Sequence, residues 1–585
     1  MPPQYTTWKY HSSFLKAGAI AFIASTTLLV GCGGGGGGDS ASTPVVTPQL
    51  PAPLLYLVEN NTKTLVVIGN GAPTCPATTL YIKDGANEQK INLGATTSYT
   101  NLSSSVSLQY SYTCTTTGLE TPRSRIAQLP NMTELNLFSG GAMSIADFNG
   151  DSIYELLGTL GTSTTPTTYT EAQLGLGDLR LTGRAYRDIR FADFNNDGYL
   201  DAISNVYSEN NPFSPTYNSY VQLYWGQSNG KFLIDSAFSA QQYTGYGETI
   251  VVADLDNDGF VDILIPQYKI PGSSNPYSRN LLFKNNRDKT FTEVGISSGV
   301  SNPIVSQVEG AQALDFDEDG YIDLYVGGSL FRNNKNWTFT DIGPQIGLPG
   351  VFEEGVKFFD YDLDGDLDYL MNPGAAKPRL FINVNGRFSE AVISPFPSEY
   401  YSAVYGIQTG DFNGDGYEDV MLAGGRTSDR SSLAPRFYLN LNGTFVRQPL
   451  IADGLGWSDL VNFADLNNDG ALDLIVRYNG MGGFFNKNIP NNYVKVIVTS
   501  SGNQNQFGRI VKVTYPSGKI KTMVVDGGSG FMSNQPYPLL IPNDSAATLS
   551  MTFPLNFTFN EYGITLLTIG EKNDEDPKTA VHLRI

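Results

Sequence analysis

One nine-residue acidic pattern recurs seven times along this 585-residue chain, and it limits the fold more than any other feature. The pattern is Asp-x-Asp/Asn-x-Asp-Gly-x-x-Asp, and its copies begin at Asp147, Asp193, Asp254, Asp315, Asp360, Asp411 and Asp465. Successive copies begin 46, 61, 61, 45, 51 and 54 residues apart. A period of that length holds one supersecondary unit, so a repeat array is predicted.

The flanks of each copy repeat as well. An apolar segment precedes the motif, as in residues 249–253, and another follows it, as in residues 261–265. A two-strand hairpin comes next, over residues 282–294 in this unit. Four short strands in each of seven units predict an all-β chain with a seven-bladed β-propeller over residues 129–488.

This arrangement resembles the FG-GAP/VCBS repeat family, whose fold is the β-propeller. Beyond the last repeat, residues 489–585 are β-rich and similar to the ASPIC/UnbV domain that often follows such propellers. Residues 53–128 contain short alternating strands separated by turns, which predicts a small immunoglobulin-like β-sandwich.

The motif has the spacing of a calcium loop. Calcium takes six to eight oxygen ligands, and positions 1, 3, 5 and 9 supply side-chain oxygens while position 7 supplies a backbone carbonyl. Glycine at position 6 permits the sharp turn around the ion. An EF-hand would place a glutamate at position 12 between helices, whereas here that position is Ser204, Ile265 or Val326 and the flanks are predicted strands.

The predicted ligand set follows from these positions. The side-chain ligands are Asp147, Asn149, Asp151 and Glu155; Asp193, Asn195, Asp197 and Asp201; Asp254, Asp256, Asp258 and Asp262; Asp315, Asp317, Asp319 and Asp323; Asp360, Asp362, Asp364 and Asp368; Asp411, Asn413, Asp415 and Asp419; and Asp465, Asn467, Asp469 and Asp473. The carbonyl ligands are those of Tyr199, Phe260, Tyr321, Asp366, Tyr417 and Ala471.

These positions place 24 carboxylates in seven short loops, and such crowding is unfavourable without a cation. Up to seven Ca²⁺ are therefore expected; the alternative is a set of acidic turns that hold no ion. The first loop has Ser152 in place of the glycine and Glu155 in place of the last aspartate, so we expect it to bind most weakly.

The N-terminus has the features of an export signal. Lys9 and Lys16 precede an apolar run that is too short to span a bilayer, over residues 17–30. The run ends in Leu-Val-Gly-Cys, which resembles the lipobox of bacterial lipoproteins. This resemblance implies a signal peptide over residues 1–31, lipidation of Cys32, and an anchor in the outer membrane or at the cell surface; the alternative is an ordinary cleaved signal. Residues 32–52, rich in Gly, Ser and Pro, predict a flexible tether.

Two cysteines remain after Cys32. Cys75 and Cys114 both lie in the predicted sandwich of an exported and therefore oxidising setting, which favours a disulfide between them.

Several function classes are disfavoured by the sequence. The formal net charge of −20, from 57 acidic and 37 basic residues, argues against nucleic acid as a partner. The chain has two histidines, His11 in the signal and His582 near the end, and no visible nucleophile triad, phosphate loop or zinc motif. We therefore predict that the protein is not an enzyme.

Three functions remain open. The first is a surface-displayed binding or adhesion module for an extracellular or periplasmic protein or glycan, held on the loop face. The second is a calcium-dependent polysaccharide-active enzyme on the same fold, since fold does not fix function. The third is a scaffold for a secreted complex. The insertions at residues 207–220 and 270–279 are candidate ligand loops.

The ends of the array predict how it closes. The Asp465 unit lacks an outer strand, and a matching pattern occurs at residues 132–137, before the first unit. We expect residues 132–137 to pair as the outermost strand of the Asp465 unit, because a ring must join its last sheet to its first or leave exposed edges.

Overall fold

The computed structural model describes strand segments between residues 54 and 176, most of residues 186–529, and strand segments between residues 539 and 584. The predicted signal peptide, the tether, Cys32, Cys75 and Cys114 lie outside the described residues, as do most of both insertions. Within the described residues, no helix has the length and apolar character needed to cross a membrane.

The N-terminal strands form two four-stranded sheets. The strands are β1 (Leu54–Glu59), β2 (Thr62–Val67), β3 (Ala77–Asp84), β4 (Asn87–Asn92), β5 (Ser98–Ser103), β6 (Ser107–Thr113), β7 (Ser124–Arg125) and β8 (Ala127–Gln128). One sheet has the order β5-β2-β1-β8 and the other β4-β3-β6-β7. Only the β1–β8 pair is parallel among these pairings.

The repeat region begins with short strands. They are β9 (Met132–Phe138), β10 (Ser144–Ala146), β11 (Glu155–Leu157), β12 (Thr159–Leu160) and β13 (Thr168–Tyr169), followed by helix α1 (Glu171–Leu174). The Asp193 unit then contains β14 (Tyr186–Ala192), β15 (Asp201–Tyr207), β16 (Ser219–Gly226), β17 (Phe232–Ile234), α2 (Ser236–Ser239) and β18 (Thr244–Gly245).

The next four units have four strands each, and we name each unit after the first aspartate of its loop. The Asp254 unit has β19 (Val251–Ala253), β20 (Asp262–Ile265), β21 (Leu281–Asn285) and β22 (Phe291–Glu293), and then α3 (Gly295–Ser298). The Asp315 unit has β23 (Ala311–Leu314), β24 (Asp323–Val326), β25 (Ser329–Asn333) and β26 (Phe339–Asp341), and then α4 (Gly343–Ile346). The Asp360 unit has β27 (Gly355–Phe359), β28 (Asp368–Asn372), β29 (Arg379–Val384) and β30 (Arg387–Glu390), and the Asp411 unit has β31 (Ile407–Gly410), β32 (Asp419–Leu422), β33 (Arg436–Asn440) and β34 (Phe445–Gln448).

Each of these four units is an antiparallel meander whose strands pair in chain order. Burial explains the composition: every residue of the second strands β20, β24 and β28 is buried, so these strands are mostly apolar after their first aspartate, whereas the outer strand β22 is partly exposed. In a meander the first-to-second connection and the second-to-third connection lie at opposite ends of the sheet. The acidic loops are the first-to-second connections, so they share one end of their units.

The Asp147 unit differs from the predicted four-stranded pattern. Its described sheet has three strands in the order β10-β11-β13, and β13 runs parallel to β11. The next strand, β12, leaves this sheet because it pairs with β9, where Thr159 faces Phe138 and Leu160 faces Leu137. Among the described residues, this first unit thus departs from the uniform four-stranded meander.

The predicted pairing between the two ends of the array is confirmed. The last unit contains β35 (Ser458–Ala464), β36 (Asp473–Tyr478) and β37 (Met481–Asn486), and β9 pairs with β37 from Met132↔Asn486 to Leu137↔Met481. The position predicted for β9 was wrong in one respect. The sheet order is β12-β9-β37-β36-β35, so β12 and not β9 is the outermost strand.

Two further sheets follow the repeats, as predicted for a β-rich C-terminal region. Their strands are β38 (Tyr493–Ser500), β39 (Ile510–Thr514), β40 (Ile520–Val524), β41 (Leu539–Pro542), β42 (Thr548–Met551), β43 (Leu555–Phe559), β44 (Ile564–Ile569) and β45 (Leu583–Arg584). The sheet orders are β41-β38-β44-β43 and β40-β39-β42-β45. Val511 and Val525 belong to the same buried apolar cluster as β20 and β24, so this region shares a core with the repeats.

Candidate metal centres

The acidic loops turn at two left-handed residues, only one of which the motif predicted. Position 6 is the predicted glycine, with φ of 88° at Gly198, 86° at Gly259, 85° at Gly320, 95° at Gly365 and 98° at Gly416. Position 4 also has positive φ, at Asn196, Asn257, Glu318, Leu363 and Gly414. Unrelated residue types occupy position 4, so the motif does not reveal its left-handed conformation. At Leu363, the surrounding loop compensates for the backbone strain.

The first aspartate of each fully described loop holds the turn closed. In the Asp254 loop, its carboxylate accepts hydrogen bonds from the backbone N–H of Asp258 at 3.1 Å and of Gly259 at 2.9 Å. Asp193 and Asp411 accept the same pair of bonds in their own loops. The chain therefore wraps around this carboxylate.

The aspartate at position 9 joins the loop to the third strand. Asp262 accepts from the Leu255 N–H at 2.9 Å with one oxygen and from the Asn285 N–H at 2.8 Å with the other. The same two bonds recur at Asp201, Asp323, Asp368 and Asp419. The position-9 aspartate thus holds the loop against the third strand, in addition to its predicted role as a ligand. We call this arrangement the position-9 latch.

Three loops bring carboxylates together closely enough to hold a cation. The groups are Asp254, Asp256 and Asp262; Asp315, Asp317 and Asp319; and Asp360, Asp362 and Asp368, each with ligand oxygens within 4.8 Å of one another. At position 3, one side-chain oxygen of Asn195, Asp256 and Asp362 is buried and accepts no hydrogen bond. A buried acceptor without a donor is costly, so these oxygens suit a cation ligand.

Burial raises the pKa of the clustered carboxyls. The pKa is about 6 at Asp254, about 7 at Asp315 and about 8 at Asp360, with burial as the largest cause in each case. Neighbouring carboxylates raise all three further, and hydrogen bonds from backbone N–H groups oppose the rise. A divalent cation would favour the ionised form of the same groups, so the electrostatics fit a metal site.

Basic and aromatic side chains from the hairpins formed by the third and fourth strands contact several loop carboxylates. The ammonium of Lys284 and the indole N–H of Trp337 both reach one oxygen of Asp256, at 2.9 and 2.8 Å, and the ammonium lies 4.4 Å from the centre of the indole ring. Arg287 donates to Asp258 at 2.6 Å. The remaining oxygen of Asp256 is the buried acceptor described above, so the side chain can serve a cation and the lysine together.

An asparagine at the end of the third strand links neighbouring repeats, and sequence analysis did not assign it a role. The side-chain amide of Asn333 donates to the Leu255 carbonyl of the preceding unit at 2.8 Å and to the Ile322 carbonyl of its own unit at 3.0 Å. Asn285 makes the corresponding pair of bonds, and Asn440 reaches Tyr361 in the preceding unit. The available signal was an asparagine that recurs two positions after an apolar pair in the third strand, as in Leu-Phe-Lys-Asn at residues 282–285 and Leu-Phe-Arg-Asn at residues 330–333.

The first and last loops are described only in part. Asn149, Asp151, Asn467 and Asp469 lie outside the described residues. Glu155 nevertheless reproduces the position-9 latch, because its carboxylate accepts from the Phe148 N–H at 2.7 Å. Asp473 does the same with the Leu466 N–H at 2.9 Å.

Comparison with known proteins identifies the class of repeat. An FG-GAP-like repeat model matches four segments of the chain, at residues 207–265, 315–371, 360–422 and 411–476. These segments contain the acidic loops that begin at Asp254, Asp315, Asp360, Asp411 and Asp465. The chain therefore contains FG-GAP-like repeats, and its four-stranded antiparallel sheets are consistent with a β-propeller.

Among individual proteins, the chain is similar to Cartilage acidic protein 1 of Xenopus tropicalis, with 27% identity over 334 residues. The match covers 54% of this chain and 42% of the relative, so the chain spans less than half of that protein's length.

Solved structures resemble the chain only distantly. PorZ, a surface component of the type-IX secretion system of Porphyromonas gingivalis, matches with a TM-score of 0.30 at 10% identity, over 88% of this chain and 75% of that one. The exotype rhamnogalacturonan lyase YesX matches with a TM-score of 0.22 at 12% identity, over 88% of this chain and 82% of that one. The six-bladed lectin of Aleuria aurantia matches with a TM-score of 0.20 at 9% identity, over 69% of this chain and 96% of that one.

Proposed function

We propose that this protein is a lipid-anchored, calcium-stabilised binding module, built as a seven-bladed propeller between an immunoglobulin-like sandwich and an ASPIC/UnbV-like domain. The observation that carries the calcium assignment is the buried position-3 oxygen that accepts no hydrogen bond in the Asn195, Asp256 and Asp362 loops. Carboxylate, amide and carbonyl oxygens in a flexible loop suit calcium better than magnesium, which demands a tighter octahedron.

Two aspartates of one loop provide the test, because they differ in what they do without an ion. In chelator, Asp262→Ala should lower the free energy of unfolding by about 2 to 4 kcal/mol, because two backbone N–H groups lose their acceptor. Asp256→Ala should change it little in chelator, because the relief of like-charge repulsion offsets the loss of the Lys284 and Trp337 contacts.

The effect of Asp256→Ala on stability should appear when calcium is present. The wild-type full-length chain in detergent should gain stability as calcium is added, by about 2.7 kcal/mol at a hundred times Kd, and Asp256→Ala should gain measurably less. Thermal unfolding with calcium, with magnesium and with EDTA is the measurement. An unfolding curve for the wild type that is identical in all three conditions would refute the calcium proposal.

The ligand of the module is proposed to bind at the end of the units opposite the acidic loops. At the acidic-loop end, the backbone of Asp315 bonds with Gly508 and that of Leu363 with Ile520, so this chain's own C-terminal region already lies there. The two insertions join β15 to β16 and β20 to β21, which places their attachment points at the other end. These insertions are the candidate ligand loops of the sequence analysis, so the proposed surface is the face that carries them.

A glycan array with the full-length chain in detergent tests this placement. Replacing residues 209–217 by four Gly and Ser residues should abolish retention of any bound glycan. Asn229→Ala, in the exposed turn between β16 and β17 at the acidic-loop end, is the control and should leave retention unchanged. Retention that survives the replacement would contradict the proposed surface, and degradation of an arrayed polysaccharide would favour the enzyme alternative.

The anchor is a further part of the proposal. Lipidation of Cys32 accounts for the cysteine at the end of the apolar run and for the glycine-rich stretch behind it. Cys32→Ser should release the protein from the membrane fraction or leave it unprocessed, which fractionation after a high-salt wash would show.

A further inference from the structure

The segment from Phe507 to Ser529, called the C-terminal hairpin below, contacts the acidic loops directly. It contains β39 and β40, and its backbone forms hydrogen bonds with the loops themselves. The Gly508 carbonyl accepts from the Asp315 N–H at 2.9 Å, and the Ile520 N–H donates to the Leu363 carbonyl at 3.1 Å. The Thr522 N–H donates to the carboxylate of Asp360 at 2.9 Å. Two first-position aspartates are thus bonded to the hairpin.

Arg509 places a buried positive charge between two loops. The residue is 6% exposed, and its guanidinium donates to the Gly320 carbonyl at 2.6 Å and to the side-chain oxygen of Asn257. Asn257 in turn donates to the same Gly320 carbonyl at 2.8 Å. Asn257 belongs to the Asp254 loop and Gly320 to the Asp315 loop, so this one side chain fastens the two loops together.

The charge of Arg509 acts on the first aspartates of both loops. The guanidinium interacts favourably with the carboxylates of both Asp254 and Asp315. The guanidinium therefore supplies part of the positive charge that a metal would supply at the same loops.

Three lysines of the hairpin extend this arrangement to neighbouring units. Lys512 pairs with Glu318 of the Asp315 loop at 2.6 Å, and Lys521 lies 3.9 Å from Glu418 of the Asp411 loop. Lys519 donates to the hydroxyl of Tyr417 in that loop and lies 4.6 Å from the centre of its ring. The hairpin thus brings its cations to an acidic surface that runs across several repeats.

A tight turn fixes the end of the hairpin among the first strands of the units. The carboxylate of Asp526 pairs with Lys357 of β27 at 2.6 Å, with both side chains almost fully buried. The Gly527 carbonyl accepts from the Val252 N–H at 3.0 Å. A Cβ on Gly527 would lie 2.0 Å from the Val252 carbonyl oxygen, so only glycine fits there. This anchor holds Arg509 in place independently of any ion.

We propose that the C-terminal hairpin is a built-in counterion for the acidic loops, in which Arg509 holds the Asp254 and Asp315 loops together and opposes cation binding there. The idea rests on the proposed calcium binding. A fixed positive charge beside a divalent cation in a partly buried site weakens the binding of that cation by roughly tenfold or more. The same charge replaces the missing cation when calcium is removed. The ring is therefore expected to keep its fold in chelator because of its own C-terminal segment.

The test compares Arg509→Met, Arg509→Lys and Arg379→Met in the full-length chain in detergent. Methionine keeps much of the side-chain volume and removes the charge, whereas lysine keeps the charge and loses the paired hydrogen bonds. Arg379 pairs with Glu390 between the third and fourth strands of the Asp360 unit, away from the C-terminal hairpin, and serves as the control. Trp337 contacts Asp256, so the part of the calcium-dependent tryptophan fluorescence that disappears in Trp337→Phe reports on the Asp254 loop.

Arg509→Met should lower the calcium midpoint of that signal by roughly tenfold, and should lower the unfolding temperature more in EDTA than in calcium. Arg509→Lys should keep a midpoint near the wild-type value, and Arg379→Met should leave it unchanged. If Arg509→Met does not fold, Lys512→Met should shift total calcium affinity in the same direction by a smaller factor.

Wild-type protein that binds no calcium would refute the proposed function itself. Wild-type protein that binds calcium, with an unchanged or raised midpoint in Arg509→Met, would refute the counterion while leaving calcium binding intact. An equal loss of unfolding temperature with and without calcium would also refute it, because Arg509 would then be only a packing residue.

Discussion

At the scale of single residues, buried acids fall into two groups: those whose carboxylate oxygens have a hydrogen-bond or ion-pair partner, and those whose oxygens have none. Asp262 has an N–H donor for each oxygen, and Asp526 has a lysine. Glu353 is 1% exposed, and neither of its carboxylate oxygens has a hydrogen-bond partner that meets normal geometry. Burial raises the pKa of Glu353 well above its usual range; the Tyr325 hydroxyl opposes the rise and the Glu309 carboxylate adds to it. This acid is therefore a source of pH-dependent instability.

The sign of that dependence can be tested with Glu353→Gln. Because the pKa is higher in the folded than in the unfolded state, Glu353 costs nothing below about pH 4.5, and stability is lost as the pH rises towards the folded-state pKa. Glutamine keeps the shape and does not ionise, so the variant should unfold at a higher temperature at pH 8 and match the wild type near pH 4.

A glutamate of opposite behaviour provides the comparison. Arg379 lowers the pKa of Glu390, so its contribution is present at neutral pH and is lost as the pH falls. Glu390→Gln should only slightly destabilise the protein at pH 8, because solvent screens this partly exposed pair. Thermal unfolding across this pH range checks both variants, and a Glu353→Gln variant less stable than wild type at pH 8 would contradict the assignment.

At the scale of elements, each unit is held to its neighbour by polar bonds that lie beside the acidic loops. The asparagine that ends the third strand reaches a carbonyl of the preceding unit, and the position-4 asparagines Asn196 and Asn257 reach a glycine carbonyl of the following one. Bonds thus run in both directions along the array. Flat sheet faces could slide against one another, whereas these bonds fix one register between units.

Asn333→Ala tests the contribution of one such link. Two carbonyls next to the Asp254 and Asp315 loops would lose their donor in a buried position, so a loss of about 2 to 3 kcal/mol in the free energy of unfolding is expected. Asn334→Ala is the adjacent control, because the described hydrogen bonds of the Asn334 side chain stay within its own hairpin, to the hydroxyls of Thr338 and Thr340. Denaturant unfolding in chelator measures both, and equal losses would show that the link has no special role.

At the scale of the whole molecule, a strand from before the first unit completes the sheet of the last. Every residue of β9 from Met132 to Leu137 has a partner in β37. Deleting residues 132–137 should leave β37 as an exposed edge, so we expect aggregation or oligomers. Size-exclusion chromatography of the deletion beside the full-length chain is the measurement. A monomeric deletion variant with unchanged unfolding temperature would show that the closure contributes nothing.

The parts of this architecture that could be predicted are those that repeat. The acidic motif predicted the loop positions, the position-6 glycine and the four strands around Asp254, Asp315, Asp360 and Asp411. The end-to-end pairing followed from one missing strand. The left-handed position 4 was hidden because Asn257, Glu318 and Leu363 share no chemistry.

Contacts between distant segments could not be predicted from the sequence either. Arg509 and Gly320 leave no periodic pattern, since nothing in the local sequence of either one depends on the other. For the same reason the docking of the C-terminal hairpin on the loops could be found only in three dimensions.

The pairing of β9 with β37 also sets an order of events during synthesis. A chain is made from its N-terminus, so Met132 leaves the ribosome long before its partner Asn486 exists. Contacts between such distant positions are slow to form, and an unpaired strand edge meanwhile recruits other chains. The joined sheet can therefore form only in a chain that contains the whole repeat region. A chain that ends before Met481 lacks β37, keeps an unpaired strand edge, and is prone to aggregation or proteolysis.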